Sequence, residues 1–365
     1  LHRGCATSRP DQKRHNRVLE RLLREVDTAA ALLALQGRDV AGADWTPLLF
    51  QQFHDILPGT SIPEVFEQAE PVWRAARRQA VRQRDQYLGQ LTQTATVGQA
   101  QARDSWVWCG LQPLARWSPL VRLPRGRWSV AGSPLPQQNS VVGGTWVQLP
   151  QQQGISSVAL QRDDGPVAVD APLRQSVRIQ ELEPGVWRLG NGLLECDCSA
   201  AGLLQLRDQR GVDQLAGPLL IERFADRGEF WDAWDLAAGY RDHPLGVVPE
   251  GDLQWLEQGD LIAHLVVRRR LGGTSSLRLD LRLKAGTPWL ELICSVRWRQ
   301  RHEVLRLELP LAQPATRVAA DTSGGVLERP AVAATAREAA RWELPVISWF
   351  ASQTAAPGGG LAVLL

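Results

Sequence analysis

Histidine 54 and aspartate 55 stand side by side in the stretch Phe53-His54-Asp55-Ile56-Leu57-Pro58-Gly59-Thr60-Ser61. Pro58 and Gly59 alone would make a turn, so the polar pair before them needs its own account. An imidazole can ligate a metal and a carboxylate can accept hydrogen bonds from a bound hydroxyl. Neighbouring helical positions diverge by about 100°, so the two side chains suit a division of labour better than a joint grip on one ion. His54 would supply a metal-ligating nitrogen, and Asp55 would bind a ligand or hold a neighbour. The same pair at a helix C-terminus also reads as a plain cap with a local salt link, and one histidine falls short of the three or four ligands that zinc requires.

A second group is Phe230-Trp231-Asp232-Ala233-Trp234-Asp235. Aromatic faces stack on sugar rings and carboxylates pair with hydroxyls, so Trp231, Asp232, Trp234 and Asp235 are candidates for carbohydrate recognition. The other reading makes the tryptophans core and the aspartates turn residues. The five cysteines follow no zinc or oxidoreductase spacing. Cys196 and Cys198 project to one face of a strand and read as two buried free thiols, which suits a reducing, cytoplasmic setting.

These residues need elements to hold them. The first hundred residues carry helical periodicity: Val18, Leu22, Val26, Ala29 and Leu33 share one face, and Gly37 is a stop. Ser8-Arg9-Pro10-Asp11 and Ser61-Ile62-Pro63-Glu64 resemble capped helix starts. A second helix is expected over residues 43–56, with His54 and Asp55 in its last turn. A third helix is expected to begin at Ser61-Ile62-Pro63-Glu64 and run through Val65, Ala69, Val72, Ala76 and Ala80 towards Leu91. Its outer face carries Arg74, Arg77, Arg78, Arg82 and Arg84, a solvated helix face or an anion site. Residues 92–104 read as a linker.

Beyond the linker the period changes from helical to alternating. Strands are expected at Ser105 to Trp108, Thr145 to Leu149, Val186 to Leu189, Leu261 to Leu271, Leu277 to Leu283, Trp289 to Trp298 and Val304 to Leu309. No parallel β-α-β rhythm is present. The architecture read from this is α+β and multidomain: a three-helix bundle over 1–95, a small β domain over 105–172 and a large antiparallel β-sandwich over 173–365.

Composition excludes some partners. The formal net charge of +2 across 365 residues argues against nucleic acid. No apolar run approaches the roughly 20 residues of a bilayer span. Fifteen tryptophans against two tyrosines suit sandwich cores and sugar stacking alike. The chain contains no methionine and opens on Leu-His-Arg-Gly without a secretory pattern, which reads as a fragment of a longer polypeptide.

Gln51-Gln52-Phe53-His54-Asp55 with its Gly-Thr turn resembles a signature of the family 38 glycoside hydrolases, the retaining α-mannosidases. Leu1-His2-Arg3-Gly4-Cys5-Ala6-Thr7-Ser8 and Lys13-Arg14-His15-Asn16-Arg17 are similar to two further family segments. So are the W-D-A-W-D stretch at Trp231 to Asp235 and Arg341-Trp342-Glu343. The matches run in family order across nearly the whole chain. The resemblance implies that His54 is one ligand of a catalytic zinc, with cobalt a possible substitute, and that Asp55 contacts a mannose hydroxyl. His2 falls where relatives carry a sugar-stacking Trp or a His, which makes it a subsite candidate. Cys5-Ala6 departs from the family, which has an aromatic ring there. The family's other zinc ligands, an H-x-D pair and the aspartate nucleophile, belong to a preceding α/β domain, as does the general acid. No H-x-D occurs here, so no catalytic residue is assigned to this chain. The implied activity is metal-dependent hydrolysis of α-mannosyl linkages in oligosaccharides, together with that missing domain; the alternative is a non-catalytic carbohydrate-binding or scaffold fragment.

Overall fold

The computed structural model describes residues 3–95, 105–111, 116–165, 175–228, 233–344, 346–355 and 359–365. Most of it is antiparallel sheet, preceded by a helical region of two long helices and one short one. Helix α1 (Pro10–Leu35) buries Leu19, Leu22, Leu23, Val26, Ala29, Ala30 and Leu33 along one stripe. Each large aliphatic side chain buried this way contributes about 1.5–3 kcal/mol. Gly37, at φ 77°, ends the helix: its N–H donates to the Ala34 carbonyl and the Arg38 N–H to that of Leu33, a Schellman closure.

The start of α1 differs from expectation. Arg9 is the left-handed capping residue and no side chain caps the helix. Ser8 is engaged elsewhere, donating its hydroxyl to the carbonyls of Gly4 and Ala233. The second helix is also shorter than expected, with α2 spanning only Thr46–Gln51. Asp27 explains its late start. One carboxylate oxygen accepts the Ala43 N–H at 2.7 Å and the other the Trp45 indole at 2.8 Å, fixing residues 43–45 outside the helix. His54 and Asp55 therefore lie in the turn that follows α2.

Helix α3 (Pro63–Ala95) runs parallel to α1. The Trp73 indole donates to Gln12, and Arg84 meets Glu25, so partners advance together along both helices. Residues 36–62 make the return journey between them, through an irregular stretch, α2 and the turn after it, with Gln52 reaching back to Asn16. Trp73 and Phe66 join the core beside the expected Ala69, Ala76 and Ala80, whereas Val72 stays partly exposed.

Two small antiparallel sheets pack Trp128, Leu135, Val147, Leu149, Val158 and Leu160 into a second core. A third, larger core lies in the sheets that follow. Its centre is the pair Ile262–Arg270 and Ser276–Lys284, in which Leu265 opposes Leu281 and Val267 opposes Leu279. Leu277, Leu279, Leu281 and Leu283 are all buried, as clean alternation requires. Strands Val186–Gly190, Leu290–Arg297 and Glu303–Glu308 fall within two residues of their expected positions. Among the described residues no helix is long and apolar enough to cross a membrane.

Candidate functional site

The turn after α2 is built around Asp55. Its main-chain carbonyl accepts the N–H groups of Thr60 and Ser61 at 3.1 and 3.0 Å, and its carboxylate accepts the Thr60 hydroxyl at 2.8 Å. The second carboxylate oxygen lies 3.4 Å from His54 Nε2. The His54 side chain is 75% exposed, with the Phe53 ring tilted against it at 4.2 Å. Leu49, Phe50, Phe53 and Ile62, all in the same stretch, also face solvent. The turn thus presents an open imidazole and a partly shielded carboxylate on an apolar surface.

Residues 3–8 fasten this region to residues 234–235 and Trp342 of the β-rich part of the chain. Arg3 grips Asp235 through Nε at 2.8 Å and Nη2 at 3.1 Å, while its own N–H donates to the same carboxylate at 3.2 Å. Its guanidinium also lies 4.4 Å from the Trp342 ring centre. The Gly4 N–H donates to the Trp234 carbonyl at 3.0 Å. A Cβ at Gly4 would come within 2.9 Å of the Asp235 nitrogen, so only glycine permits this backbone approach. Beyond Trp342, the Tyr240 hydroxyl is 3.3 Å from Glu343 Oε1, and Arg241 lies 3.5 Å from the same carboxylate.

The two regions meet at Gly59. Its φ of 86° and its approach to Ser8 and Arg9, where an added Cβ would sit 2.7 Å from each, again demand glycine. Lys13 bridges the same seam, donating to the Pro58 carbonyl at 2.7 Å and to the Ser8 carbonyl. Segments far apart in sequence, at 3–8, 53–60, 233–235 and 342–343, are thereby drawn into one connected region.

Electrostatics follow from the contacts. The Arg3 guanidinium holds the Asp235 carboxyl down to about 2 against the opposing effect of burial. Arg9 does the same for Asp11, also to about 2. Burial pushes the Lys13 ammonium down to about 8 and the Cys5 thiol up, with neighbouring charges partly opposing it in each case.

Of the expected site residues, the structure places His54, Asp55, Trp234 and Asp235. His2, Trp231 and Asp232 lie outside the described residues. Asp235 is spent largely on Arg3 and on the Leu236 N–H, and Trp234 enters through its main-chain carbonyl. Arg3, Lys13 and Trp342 organise the region without having been assigned a role from sequence, although each lies in a segment that resembles the family. For a metal, His54 and Asp55 are too few. Among the described residues no group of three or more His, Cys, Asp or Glu side chains could hold an ion, so a complete zinc site does not fit within this part of the chain. Cys196 and Cys198 are fully buried with sulfurs 3.9 Å apart, and no cysteine forms a disulfide among the described residues.

Comparison with known proteins bears on the same segments. Residues 1–91 match the α-mannosidase middle domain, and residues 189–365 match the C-terminal domain of glycosyl hydrolases family 38. Alpha-mannosidase 2C1 from Homo sapiens is 25% identical over 383 residues, covering 100% of this chain and 34% of that protein. Its Mus musculus counterpart is 24% identical over 372 residues, covering 96% of this chain and 32% of that protein. The chain therefore spans about a third of the length of these relatives. In fold it is similar to an alpha-mannosidase from Enterococcus faecalis V583, with a TM-score of 0.68 at 12% identity over 96% of this chain and 48% of that one. A second protein, described as in glycosyl hydrolase family 38 and also from Enterococcus faecalis, gives 0.66 at 14% identity over 90% and 48%.

Proposed function

The chain belongs to glycosyl hydrolase family 38, and from that membership we propose that it forms the sugar-facing middle and C-terminal part of a retaining α-mannosidase. The observation that supports this reading most is that residues 3–8, 53–60, 233–235 and 342–343, which lie in segments resembling the family, are joined by contacts into one connected region that carries an exposed imidazole. The His54 side chain is 75% exposed and open to a ligand, while Asp55 closes the turn beside it.

In this reading Asp55 binds a hydroxyl of an α-mannosyl residue. Its carboxylate is oriented by the Thr60 hydroxyl and keeps lone pairs free for a sugar donor. Trp231, Asp232, Trp234 and His2 are further sugar-binding candidates from the resemblance, and Asp235 acts through its grip on Arg3. His54 contributes one nitrogen to a zinc or cobalt ion whose other ligands come from polypeptide outside this chain. Retaining hydrolysis needs two carboxyl groups about 5–5.5 Å apart, one as nucleophile and one as acid and base; neither role is assigned to a residue here. The exposed Leu49, Phe50, Phe53 and Ile62 suit coverage by that further polypeptide. The five cysteines, none in a disulfide, suit a cytoplasmic setting.

Saturation-transfer NMR of the 365-residue chain with methyl α-mannoside tests the reading. We expect transfer to the sugar in the native chain and its loss in Asp55→Ala; equal transfer in both would remove Asp55 from the site. The isolated chain is expected not to hydrolyse an aryl α-mannoside, and turnover would show that the catalytic pair lies within it.

A further inference from the structure

Lys13 sits in the first turn of α1, its side chain half-buried. An ammonium taken out of water is costly unless its donors are satisfied. Here they reach two main-chain carbonyls rather than a carboxylate: Lys13 forms no ion pair among the described residues. Ser8 closes the segment fastened by Arg3 to Asp235, and Pro58 closes the stretch that begins at His54 and Asp55. One cation therefore ties together the ends of two segments that otherwise meet at the close approach of Gly59 to residues 8 and 9.

The geometry around it is tight. Gly59, next to Pro58, approaches residues 8 and 9 so closely that an added Cβ would collide with both. From Pro58 the turn continues into Thr60 and Ser61, whose N–H groups close on the Asp55 carbonyl, and into the Thr60 hydroxyl that orients the Asp55 carboxylate. A displacement at Pro58 is thus passed within two residues to the group assigned to sugar binding. A methionine could fill the same volume but could not donate to either carbonyl. The compact ammonium, with three donors on a flexible stem, suits two acceptors from separate segments.

We propose that Lys13 is a positioning residue: by joining the Pro58 and Ser8 carbonyls it fixes the His54–Asp55 turn relative to the Arg3–Ser8 segment and, through Arg3, to Asp235 and Trp342. What the turn then does rests on the function proposed above; the clamp stands without it.

Amide hydrogen exchange on the 365-residue chain separates the two. In Lys13→Met, the Thr60 and Ser61 amides are expected to exchange at least about tenfold faster, the step that 1.4 kcal/mol corresponds to, with α1 and α3 core amides unchanged. The His54 imidazole resonances are expected to shift in the same variant. Lys13→Arg, which keeps donors near both carbonyls, is expected to restore exchange to within about threefold of the native rate. Unchanged Thr60 and Ser61 exchange in Lys13→Met overturns the proposal. So does a rise spread evenly over the helices, or a loss of protection in Lys13→Arg as large as in Lys13→Met. None of these readings involves mannose, so failure of the clamp and failure of the sugar site remain distinguishable.

Discussion

Among the described residues two histidines lie within 4 Å of an aspartate carboxylate, and the two pairs have opposite fates. His54 and Asp55 are neighbours in sequence, 3.4 Å apart, with side chains 75% and 31% exposed. His264 and Asp280 come from adjacent strands of the central sheet, 2.7 Å apart, with side chains 11% and 5% exposed. Asp280 also accepts two bonds from Arg278. The buried pair has its bonding capacity used inside the protein, so it stabilises a sheet and has little left for a ligand. The open pair closes a single turn through Asp55 and leaves the His54 imidazole open to solvent. Identical chemistry becomes structural or functional according to how much of its hydrogen bonding the surroundings complete.

The contrast is tested most severely at Asp280. Its replacement by alanine leaves His264 and Arg278 without their acceptor in the sheet and is expected to cost about 3 kcal/mol, read as a lower urea midpoint. A loss under 1 kcal/mol would mean that the buried pair is as dispensable as the open one.

Acid separates the contributions more finely. Burial pushes the His264 imidazole below its ordinary value of 6.5, partly offset by Asp280. The unfolded chain therefore takes up this proton first, and stability present above about pH 6.5 is lost as pH falls through the lower folded value. Burial opposes ionisation of Asp280, yet Arg278 and His264 outweigh it and hold its carboxyl below 3.8. Asp235, held near 2 by Arg3, loses its contribution only between about pH 4 and 2. Asp235→Ala is expected to cost about 1–2 kcal/mol at pH 7 and to flatten the acid limb only below pH 4. A flattening that begins near pH 6 would place the titrating group elsewhere.

The smallest effect is expected at the open pair. His54→Ala should change stability by less than about 0.5 kcal/mol while reducing zinc retention by the complete polypeptide. A stability loss comparable to that of Asp280→Ala would make His54 a structural residue and erase the difference between the pairs.

Why one pair was legible in sequence and the other was not follows from the same geometry. His54 and Asp55 stand out because they are adjacent beside a Pro-Gly turn. His264 and Asp280 are separated by a hairpin, and strand periodicity marks them only as residues of the polar face. Alternation located the strands because Leu277 to Leu283 repeat with the period of the pleat. It could not show that Asp280, on the polar side, would be covered. The short α2 was illegible for a similar reason. Its start is set by the Asp27 carboxylate, a long-range bond that no local pattern encodes. Ser8 had the look of a cap, but tertiary partners took its hydroxyl. The seam at Lys13 and Gly59 depends on segments about 45 positions apart, so sequence offered the motifs without their connection.

The parallel course of α1 and α3 has a kinetic consequence. Helices joined by a short connection can pack as soon as both exist, whereas here the contact of Trp73 with Gln12 spans 61 positions and waits for the returning segment to lie down. The entropy of closing that loop must be met before the shared apolar stripe is buried. Refolding of this region should therefore be slower than its helical content suggests, with Asp27 and its grip on residues 43–45 as the natural early latch.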